Sequence, residues 1–461
     1  MGFEGEFASY EPLRRILTSE RIEALQKTLQ IKHSKKKEDI NYDDLTVKKT
    51  DIESSNVKPD LVLAIDGSKL SHPVENGFPG AELGYITVAS VLIDLVKVDK
   101  IEKQDFINPK EFRETETVSS FESMFPGCNI VFENERNAKT TLRKHLFDEL
   151  KRTKIFSDGE SLLDTFEYLF KLKLENDNIN TRPRSPLDEL KDTDEKMQYG
   201  FGEFECKITG QKLFSTDALR LHELMNPSGS NGDMFGQIMS VLEKLFLLNV
   251  LRYFELKENK EGGWYKTLRR LAIIVDGPLA VFSTASWLTK SIEKELSRIN
   301  DLQKEVNGKD LLLIGLEKSG IFINHFLEID ISKEGISDDF PKETALLLDD
   351  KYIKENIIFS ESIKQYGADT YFGRKILYKT KSGQILVPVI AFYSTEQKDM
   401  RTAKPNQFPR LGDVMNLLDM LVSSRHPNSV SPLISAHAEA AIPLNLGKRI
   451  FEDIAREIRD N

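Results

Sequence analysis

The sequence predicts an α/β fold in which helices cover both faces of a mixed β-sheet. Three extended segments follow one another between Leu61 and Pro109 without room for a crossover helix, so this part of the sheet is antiparallel. From Met234 onward, apolar strands alternate with amphipathic helices, as in sheets with helices on both faces. Two strands, in "LVLAIDGSKL" (Leu61–Leu70) and "LAIIVDGPLA" (Leu271–Ala280), run into an Asp-Gly pair. These pairs indicate a ligand site at one edge of the sheet.

The first 110 residues are predicted to form a helical segment, a linker and the start of the sheet. Residues 1–58 contain one or two amphipathic helices within Glu11–Ile31, followed by a polar, lysine-rich connector. Residues 59–110 contain the first part of the core. Its strands are predicted at Leu61–Gly67, where Gly67 ends the strand, at Leu83–Val98 and at Lys100–Pro109.

Residues 111–233 have a different composition and are predicted to be a large helical and irregular insertion. Polar and charged stretches with Gly and Pro surround two helical patterns, Ala138–Leu150 and Leu162–Leu172. The segment Phe204–Met225 has the outline of a degraded zinc finger in which Cys206 and His222 survive. A structural zinc site needs four ligands, so a small hairpin and helix with a buried thiol is the simpler prediction.

Residues 234–461 are predicted to complete the core. Met234–Leu256 is a strongly apolar helix that must be largely buried. The predicted elements that follow are a strand at Leu271–Gly277, a helix at Ser286–Asn300, a strand at Asp310–Gly320, a hairpin of Thr370–Thr380 with Gln384–Ser394, and two C-terminal helices around Ser431–Leu444.

Composition excludes some function classes. Lys and Arg total 64 against 74 Asp and Glu, and the resulting net charge of −10 argues against a generic nucleic-acid coat, whose affinity depends on clustered cations. No uninterrupted apolar run approaches the roughly 20 residues that span a bilayer, and the N-terminus lacks the basic start of a signal peptide. We therefore expect a cytoplasmic protein without a membrane segment. Two cysteines, Cys128 and Cys206, are expected to be reduced thiols.

Asp66 and Asp276 are the residues with the clearest chemical signal. Each follows an apolar strand and precedes a glycine, so the two carboxylates are expected to converge at one edge of the sheet. Unpaired, they would repel each other; a divalent cation removes that conflict, and oxygen ligands suit Mg²⁺ or Mn²⁺. Such sites most often serve phosphoryl transfer. The alternative is that each Asp-Gly pair only marks a turn.

A third acidic residue is expected on the helix between the two strands. Glu243 is surrounded by apolar residues in "IMSVLEKLFLLNVL", which makes an ordinary surface role awkward, whereas Glu255 and Glu223 remain rivals. An aspartate on the first strand of a meander, a glutamate on the next core helix and an aspartate on the following strand occur in the same order in the RNase H-like fold.

Four motifs in order resemble those of the NurA nucleases. They are "AIDGS" (Ala64–Ser68), "IIVDGPL" (Ile273–Leu279), "IGLEKSG" (Ile314–Gly320) and "SPLISAHAEAAIP" (Ser431–Pro443). The resemblance implies an RNase H-like DNA nuclease that depends on manganese, forms homodimers and works with the hexameric ATPase HerA. The long insertion and the spacer "KENKEGGWYKTLRR" before the second motif depart from a compact member of the family.

The resemblance also implies roles for single residues. Asp66 and Asp276 become metal ligands, with Glu243 as the less secure third ligand because the spacer changes its distance from Asp276. His437 becomes a further active-site residue that ligates the metal or moves a proton, although a lone histidine in an apolar helix is also typical of a core. Lys318 is expected to meet the scissile phosphate as a point charge, or else to be a solvated lysine.

Candidate DNA contacts lie in a basic loop and beside the first aspartate. The loop Glu396–Arg410 could contact the DNA backbone, or could be an ordinary exposed connection. Its cationic residues are Lys398, Arg401, Lys404 and Arg410. Ser68, after the first Asp-Gly pair, could touch a phosphate or a metal-bound water.

The sequence therefore predicts a Mn²⁺- or Mg²⁺-dependent deoxyribonuclease that acts with a HerA-like ATPase in DNA end processing or anti-phage defence. A non-catalytic adaptor of the same fold would regulate the ATPase instead, but would have no need to tolerate the repulsion between the carboxylates. A guide-directed RNase H-like nuclease is a further alternative, although no long basic channel is visible.

Overall fold

The computed structural model describes most of the chain. The described residues are 10–29, 40–55, 58–74, 81–102, 116–176, 185–187, 190, 200–261, 264–331, 339–423, 429–441, 450, 452–454 and 456–459. The chain divides into two units, Met1–Asn41 and Tyr42–Asn461.

The first unit contains two short helices, α1 (Glu11–Leu17) and α2 (Glu20–Thr28). Ser19 caps α2 by accepting a hydrogen bond from the backbone N–H of Ile22 at 3.4 Å. Both helices were predicted within Glu11–Ile31, of which residues 30 and 31 lie outside the described part. The apolar side chains of the two helices, at Leu13, Ile16, Leu17, Leu25 and Leu29, are exposed.

The second unit contains all the β-strands that the structure describes. They are β1 (Thr46–Lys48), β2 (Leu61–Pro73), β3 (Glu82–Asp94), β4 (Glu116–Pro126), β5 (Glu203–Glu205), β6 (Lys212–Phe214), β7 (Leu271–Asp276), β8 (Leu312–Glu317), β9 (Thr344–Leu347), β10 (Gly373–Lys379) and β11 (Ile385–Ala391). Strands β5 and β6 form a separate hairpin, and the other nine form one sheet.

The predicted helices at Ala138–Leu150, Leu162–Leu172, Met234–Leu256 and Ser286–Asn300 each correspond to a helix of the second unit. In the described residues, the helices of this unit are α3 (Leu95–Glu102), α4 (Ala138–Arg152), α5 (Leu162–Asn176), α6 (Gly232–Glu261), α7 (Trp264–Arg270), α8 (Leu288–Asn307), α9 (Ile321–Asp330), α10 (Asp350–Asn356), α11 (Thr395–Lys398), α12 (Leu411–Leu421) and α13 (Ser431–Ala440).

The strand order confirms the predicted α/β class with a mixed sheet. Strands β2, β3 and β4 form an antiparallel meander, while β7 pairs with β2 in parallel and β8 pairs with β7 in parallel. The resulting order β4-β3-β2-β7-β8 is that of an RNase H-like core. On the β8 side, the antiparallel strands β11, β10, β9 and β1 extend the sheet.

The sheet is covered by a hydrophobic layer on each face. Along β2, Leu63 and Ile65 belong to one layer, together with apolar residues of α4, α5, α6 and α8. Val62 and Ala64 belong to the other layer, together with residues of α12 and α13. This alternation is the two-residue period of a strand, so Asp66 continues the α13 face and Gly67 continues the α6 face.

The prediction that Gly67 ends the first strand is wrong. Strand β2 continues to Pro73 and pairs with β3 along its whole length, from Leu61 opposite Asp94 to Pro73 opposite Glu82. Only the parallel pairing with β7 stops earlier, at Ile65 opposite Val275. The glycine is tolerated because the antiparallel ladder with β3 holds the backbone on its other side.

The predicted strand Lys100–Pro109 is wrong at residues 100–102, and the rest of it lies outside the described residues. Helix α3 covers Leu95–Glu102, and residues 103–115 lie outside the described part of the chain. The Asp94 carboxylate accepts hydrogen bonds from the backbone N–H groups of Val96 and Lys97, which starts a helix where β3 ends. The third strand of the meander is β4.

The segment 111–233 contributes one strand to the main sheet and two helices to the hydrophobic layer on one face of it. Strand β4 pairs with β3, and α4 and α5 place apolar residues in the same layer as the sheet. The predicted boundaries at residues 58, 110 and 233 stay predictions. Within the segment, the expected small hairpin is formed by β5 and β6, and both Cys206 and His222 are buried.

Among the described residues, one helix is long and apolar enough to cross a membrane by length and composition, Gly232–Glu255 within α6. Glu243 and Lys244 interrupt its apolar sequence. In its most apolar window, 78% of the surface is buried inside the protein, as expected for a core helix.

Candidate metal and active site

Asp66 lies where the parallel ladder between β2 and β7 ends. The last pair of that ladder is Ile65 with Val275, so the next residue on each strand, Asp66 or Asp276, stands at the edge of this pairing. Asp66 is 1% exposed. A carboxylate this buried needs a cation or hydrogen-bond donors to carry its charge.

Asp276 is the last residue of β7, and the backbone turns away from the sheet immediately after it. Gly277 has φ of +74°, in the left-handed region that favours glycine. The turn packs closely on the neighbouring strand, because a Cβ on Gly315 of β8 would lie 2.6 Å from the Gly277 carbonyl oxygen. Two glycines therefore allow the tight exit that exposes Asp276 at the sheet edge.

Glu243 reaches the same edge from α6, on the opposite face of the sheet. Gly67 makes this approach possible, since a Cβ at that position would lie 2.5 Å from Glu243 Oε1. The Gly67 N–H also donates a hydrogen bond to the Glu243 carboxylate. Lys244 Nζ donates to the other oxygen at 3.0 Å, and both side chains of this pair are buried.

The two rival glutamates have other partners. Arg220 binds Glu223 with two hydrogen bonds, at 2.9 and 2.6 Å. Arg298 binds Glu255 in the same two-pronged way, at 2.7 and 2.6 Å. Bidentate pairs with arginine satisfy a carboxylate locally, so the geometry favours Glu243 as the third acid.

The electrostatics at Asp66 oppose its charge. Its pKa is raised to about 8, first by burial and then by the charge of Asp276, against a lowering by Lys318. Burial also raises the pKa of Glu243, which Lys244 counteracts. Two buried carboxyl groups whose pKa values are raised, with the charge of Asp276 beside them, form an environment that a bound cation would stabilise.

Lys318 supplies a positive charge next to both aspartates. It follows β8, and its Nζ lies 2.8 Å from Asp276 Oδ1 and 4.0 Å from Asp66 Oδ2. Asp276 Oδ1 is buried and accepts no hydrogen bond of normal geometry from the described residues, so its contact with Lys318 is ionic. The solvated alternative for Lys318 does not match this position, since its side chain is only 30% exposed.

His437 covers Asp66 from α13. Its Nδ1 lies 2.9 Å from Asp66 Oδ2, within hydrogen-bonding distance, while its side chain is 58% exposed. This is not the environment of a core histidine. The C-terminal end of α13 is attached to the sheet because the Thr87 hydroxyl of β3 donates a hydrogen bond to the Ala440 carbonyl.

The donors at this edge suit a hard divalent cation by their chemistry. Carboxylate oxygens from Asp66, Glu243 and Asp276, with an imidazole from His437, are ligands that Mn²⁺ and Mg²⁺ accept. The side chains are farther apart than the ligands of a bound metal ion. In the described part of the chain, no three His, Cys, Asp or Glu side chains are close enough together to hold a metal. Asp276 Oδ1 is buried without a hydrogen bond from the described residues and contacts the Lys318 ammonium, so it is an oxygen that a divalent cation could share.

Three of the four cationic residues of the basic loop form ion pairs within the chain. Lys398 binds Glu293 at 2.7 Å, and Arg410 binds Asp413 at 2.7 Å with its side chain 9% exposed. Arg401 is 77% exposed and pairs with Asp399. Neither these three nor Lys404 lines the cavity beside Asp276.

Ser68 is two residues beyond Asp66 on the same face of β2. It lies opposite Thr87 of β3 and is partly exposed. Its role in binding phosphate stays a prediction.

Sequence reasoning missed two charged residues beside the site. Glu317 ends β8 as Asp276 ends β7, and Lys375 Nζ of β10 lies 2.7 Å from it. The signal for Glu317 was present in "IGLEKSG", an acid at the end of a third parallel strand. For Lys375 the signal was a lysine within "GRKILYK", a strand in which every residue is buried.

Comparisons with known proteins identify the family. The NurA domain matches residues 60–442. No curated protein matches the chain. Similar solved structures are the NurA nuclease from Sulfolobus solfataricus (10% identity, 98% of each chain covered, TM-score 0.35), NurA (11%, 97% of this chain and 98% of the other, 0.23) and NurA with manganese (10%, 98% and 96%, 0.21).

Proposed function

The chain belongs to the NurA domain family, and from this premise we propose that it is a metal-dependent nuclease that hydrolyses phosphodiester bonds of DNA. One observation supports the reaction most directly. Asp66, Glu243 and Asp276 come from β2, α6 and β7, and their carboxyl groups interact electrostatically at one edge of the sheet.

In this proposal, Asp66, Glu243 and Asp276 hold Mn²⁺ or Mg²⁺, and His437 completes the set or moves a proton. When bound, such an ion activates water and neutralises charge on the phosphate. Lys318, whose ammonium lies 2.8 Å from Asp276 Oδ1, binds the scissile phosphate as a point charge. His437 gives a proton to the leaving oxygen in this proposal; its Nδ1 lies 2.9 Å from Asp66 Oδ2, and its side chain is 58% exposed.

DNA binding in this proposal needs local positive charge, because the chain carries a net charge of −10. Lys318 supplies it at the site. Ser68 and the loop cations Lys398, Arg401, Lys404 and Arg410 remain the proposed backbone contacts, among which Arg401 is the one with a strongly exposed side chain paired to a single acid.

The same proposal includes a partner and an assembly. We expect a cytoplasmic homodimer that docks on a HerA-like hexameric ATPase and acts in DNA end processing or anti-phage defence. The support is the family resemblance of the motifs, together with the exposed apolar side chains of α1 and α2, which an interface would cover.

The test is cleavage of labelled linear duplex and single-stranded DNA by wild type, Asp66→Asn and Asp301→Asn. Asp301 is an exposed aspartate of α8 and serves as the matched control. We expect cleavage with Mn²⁺ or Mg²⁺, loss of at least about 100-fold in Asp66→Asn, no loss in Asp301→Asn, and no cleavage in EDTA.

Two further measurements separate the outcomes. Calorimetric titration with Mn²⁺ should show binding to wild type and weaker binding to Asp66→Asn, whatever the activity. Cleavage that persists in EDTA or in Asp66→Asn would contradict the mechanism. If the protein cleaves no DNA in any condition but stimulates a HerA-like ATPase, the result would favour a non-catalytic adaptor.

A further inference from the structure

A cavity of about 380 Å³ opens beside the carboxylate site. Asp276 and Lys318 line one end of it, and from there it extends along the ends of β7 and β8 to residues preceding β10. Its volume falls within the range of small-molecule sites in proteins. The mechanism proposed above uses the entrance of this cavity and leaves its interior without a role.

The interior is lined by aromatic rings from three separate segments. Phe282 follows β7, Phe322 is in the first turn of α9, and Tyr366 and Tyr371 precede β10. The rings hold one another in place: the Tyr366 hydroxyl donates to the Tyr371 hydroxyl at 2.9 Å, and Phe282 meets Tyr371 edge-on with centroids 5.6 Å apart. Phe282 is partly exposed, so its ring remains accessible from the cavity.

A buried ion pair supplies the polar groups of the cavity. Lys375 Nζ lies 2.7 Å from Glu317 Oε1, and the two side chains are 3% and 11% exposed. The ring of Phe322 lies 3.6 Å from the same ammonium, which fixes its position by a cation–π contact. The cavity therefore contains a carboxylate acceptor and an ammonium donor next to flat apolar rings.

We propose that this cavity, here called the aromatic cavity, binds one nucleobase of the strand whose phosphate reaches Lys318. The inference rests on the proposed nuclease function. A base stacks on aromatic rings through its face, and its edge carries the donors and acceptors that Glu317 and Lys375 can meet. A base pair within a duplex cannot enter a cavity of this size, so the bound base is turned out of its own stack.

Phe282→Leu tests the proposal, because leucine keeps apolar volume and removes the ring. Phe201→Leu is the matched control: Phe201 is 49% exposed, its ring meets that of Phe170 with centroids 6.0 Å apart, and it does not line the cavity. Binding of a labelled single-stranded pentanucleotide is measured in EDTA by fluorescence anisotropy. The pentanucleotide is either intact or lacks the base at one position, and each of the five positions is tested in turn.

For wild type and Phe201→Leu, removal of one particular base should weaken binding about tenfold, the usual effect of losing one stacked base. For Phe282→Leu, the intact strand should bind about tenfold more weakly, and removal of that base should change binding less than twofold. The proposal would be overturned if base removal weakened binding equally in wild type and Phe282→Leu. It would also be overturned if wild type bound the intact and the abasic strands equally well.

Failure of the cavity and failure of the nuclease function are distinguishable. Metal-dependent cleavage that requires Asp66, without any preference for the intact strand, would overturn the aromatic cavity alone. A Phe282-dependent preference in binding, without cleavage under any metal condition, would support the cavity and contradict the nuclease mechanism.

Discussion

Asp66 illustrates, at the scale of a single residue, how the surroundings of a proposed metal ligand work against stability. Burial and the charge of Asp276 raise the pKa of its carboxyl to about 8, which means that the folded protein without metal resists the charged form. An arrangement of this kind lowers the stability of the fold and has no use in a scaffold. It is reasonable for a group that binds a cation.

Asp66→Asn should therefore stabilise the metal-free protein while it abolishes cleavage. At pH 8.5 the asparagine removes a buried charge and its repulsion with Asp276, and keeps a polar side chain beside His437. We expect a gain of about 1–3 kcal/mol in the free energy of unfolding. Denaturant unfolding in EDTA measures it, with Asp301→Asn expected to be neutral. A destabilised Asp66→Asn would show that the carboxylate is structurally satisfied without metal.

Gly67→Ala should damage the site with little effect on the fold. A methyl group there would lie 2.5 Å from Glu243 Oε1 and 2.8 Å from Met239 Cγ, so the glutamate must move away from the sheet edge. We expect cleavage to fall about 10- to 100-fold at a loss of about 1–2 kcal/mol in stability.

Gly232→Ala is the control for this change. Gly232 begins α6, and the nearest atom to a Cβ there, Ser230 Oγ, is 3.5 Å away, an ordinary contact. The measurements are steady-state cleavage and thermal unfolding. Unchanged cleavage in Gly67→Ala would mean that Glu243 is not part of the reaction.

At the scale of elements, helix α13 packs on the sheet through Leu433 and Ala436 and is joined to β3 by a hydrogen bond at its C-terminal end. The Thr87 hydroxyl of β3 donates to the Ala440 carbonyl, three residues after His437. This contact holds the helix across the antiparallel ribbon formed by β2 and β3. The position of His437 over Asp66 thus depends on a strand that carries no proposed catalytic residue.

Thr87→Val should loosen this attachment. Valine keeps the shape of threonine, but leaves the Ala440 carbonyl without its donor, at a cost of about 1–3 kcal/mol. We expect cleavage to fall several-fold, mainly in kcat, as His437 becomes less well placed. Thr117→Val, an exposed position on β4, is the matched control. Wild-type kcat in Thr87→Val would indicate that His437 is positioned by Asp66 alone.

Strands with continuous apolar runs could be predicted from the sequence, and strands with mixed faces could not. Strands β7 and β8 are buried on both faces, so their runs were recognisable. Strand β4 alternates polar residues with Phe121 and Phe125 within a segment of different composition, and the prediction placed the third strand before it. Strands β1 and β9 have three and four residues and depend on pairing, which a local pattern does not reveal.

Part of the candidate site could be predicted for the same reason. Asp66 and Asp276 stand out because a carboxylate after a buried strand conflicts with its surroundings. Glu243 and Glu255 look alike in the sequence, and their different partners are visible only in the structure, where Arg298 binds Glu255. Lys375 reaches the site through the order β8-β11-β10, a long-range arrangement that strand patterns do not give.

At the scale of the whole molecule, two buried histidines make stability depend on pH. Burial lowers the pKa of His222 to about 3, helped by the charge of Arg143, and burial lowers the pKa of His325 to about 4. Each folded-state pKa lies below the ordinary value of 6.5. The unfolded chain therefore binds more protons below pH 6.5, and stability must fall as the pH falls through that value toward 4.

His222→Asn combined with His325→Asn should flatten this dependence. Between pH 7.5 and 5, each wild-type histidine should lower the free energy of unfolding by about 2 kcal/mol, since the folded state keeps both rings neutral. The asparagines lower the free energy of unfolding at pH 7.5, but they take up no proton on unfolding. The difference in free energy of unfolding between wild type and the double variant should therefore be about 4 kcal/mol smaller at pH 5 than at pH 7.5. Denaturant unfolding at the two pH values measures this change in the free energy of unfolding. Each single variant should show half the effect. Parallel curves for wild type and the double variant would mean that these rings take up protons without unfolding, through local opening of the layers that bury them.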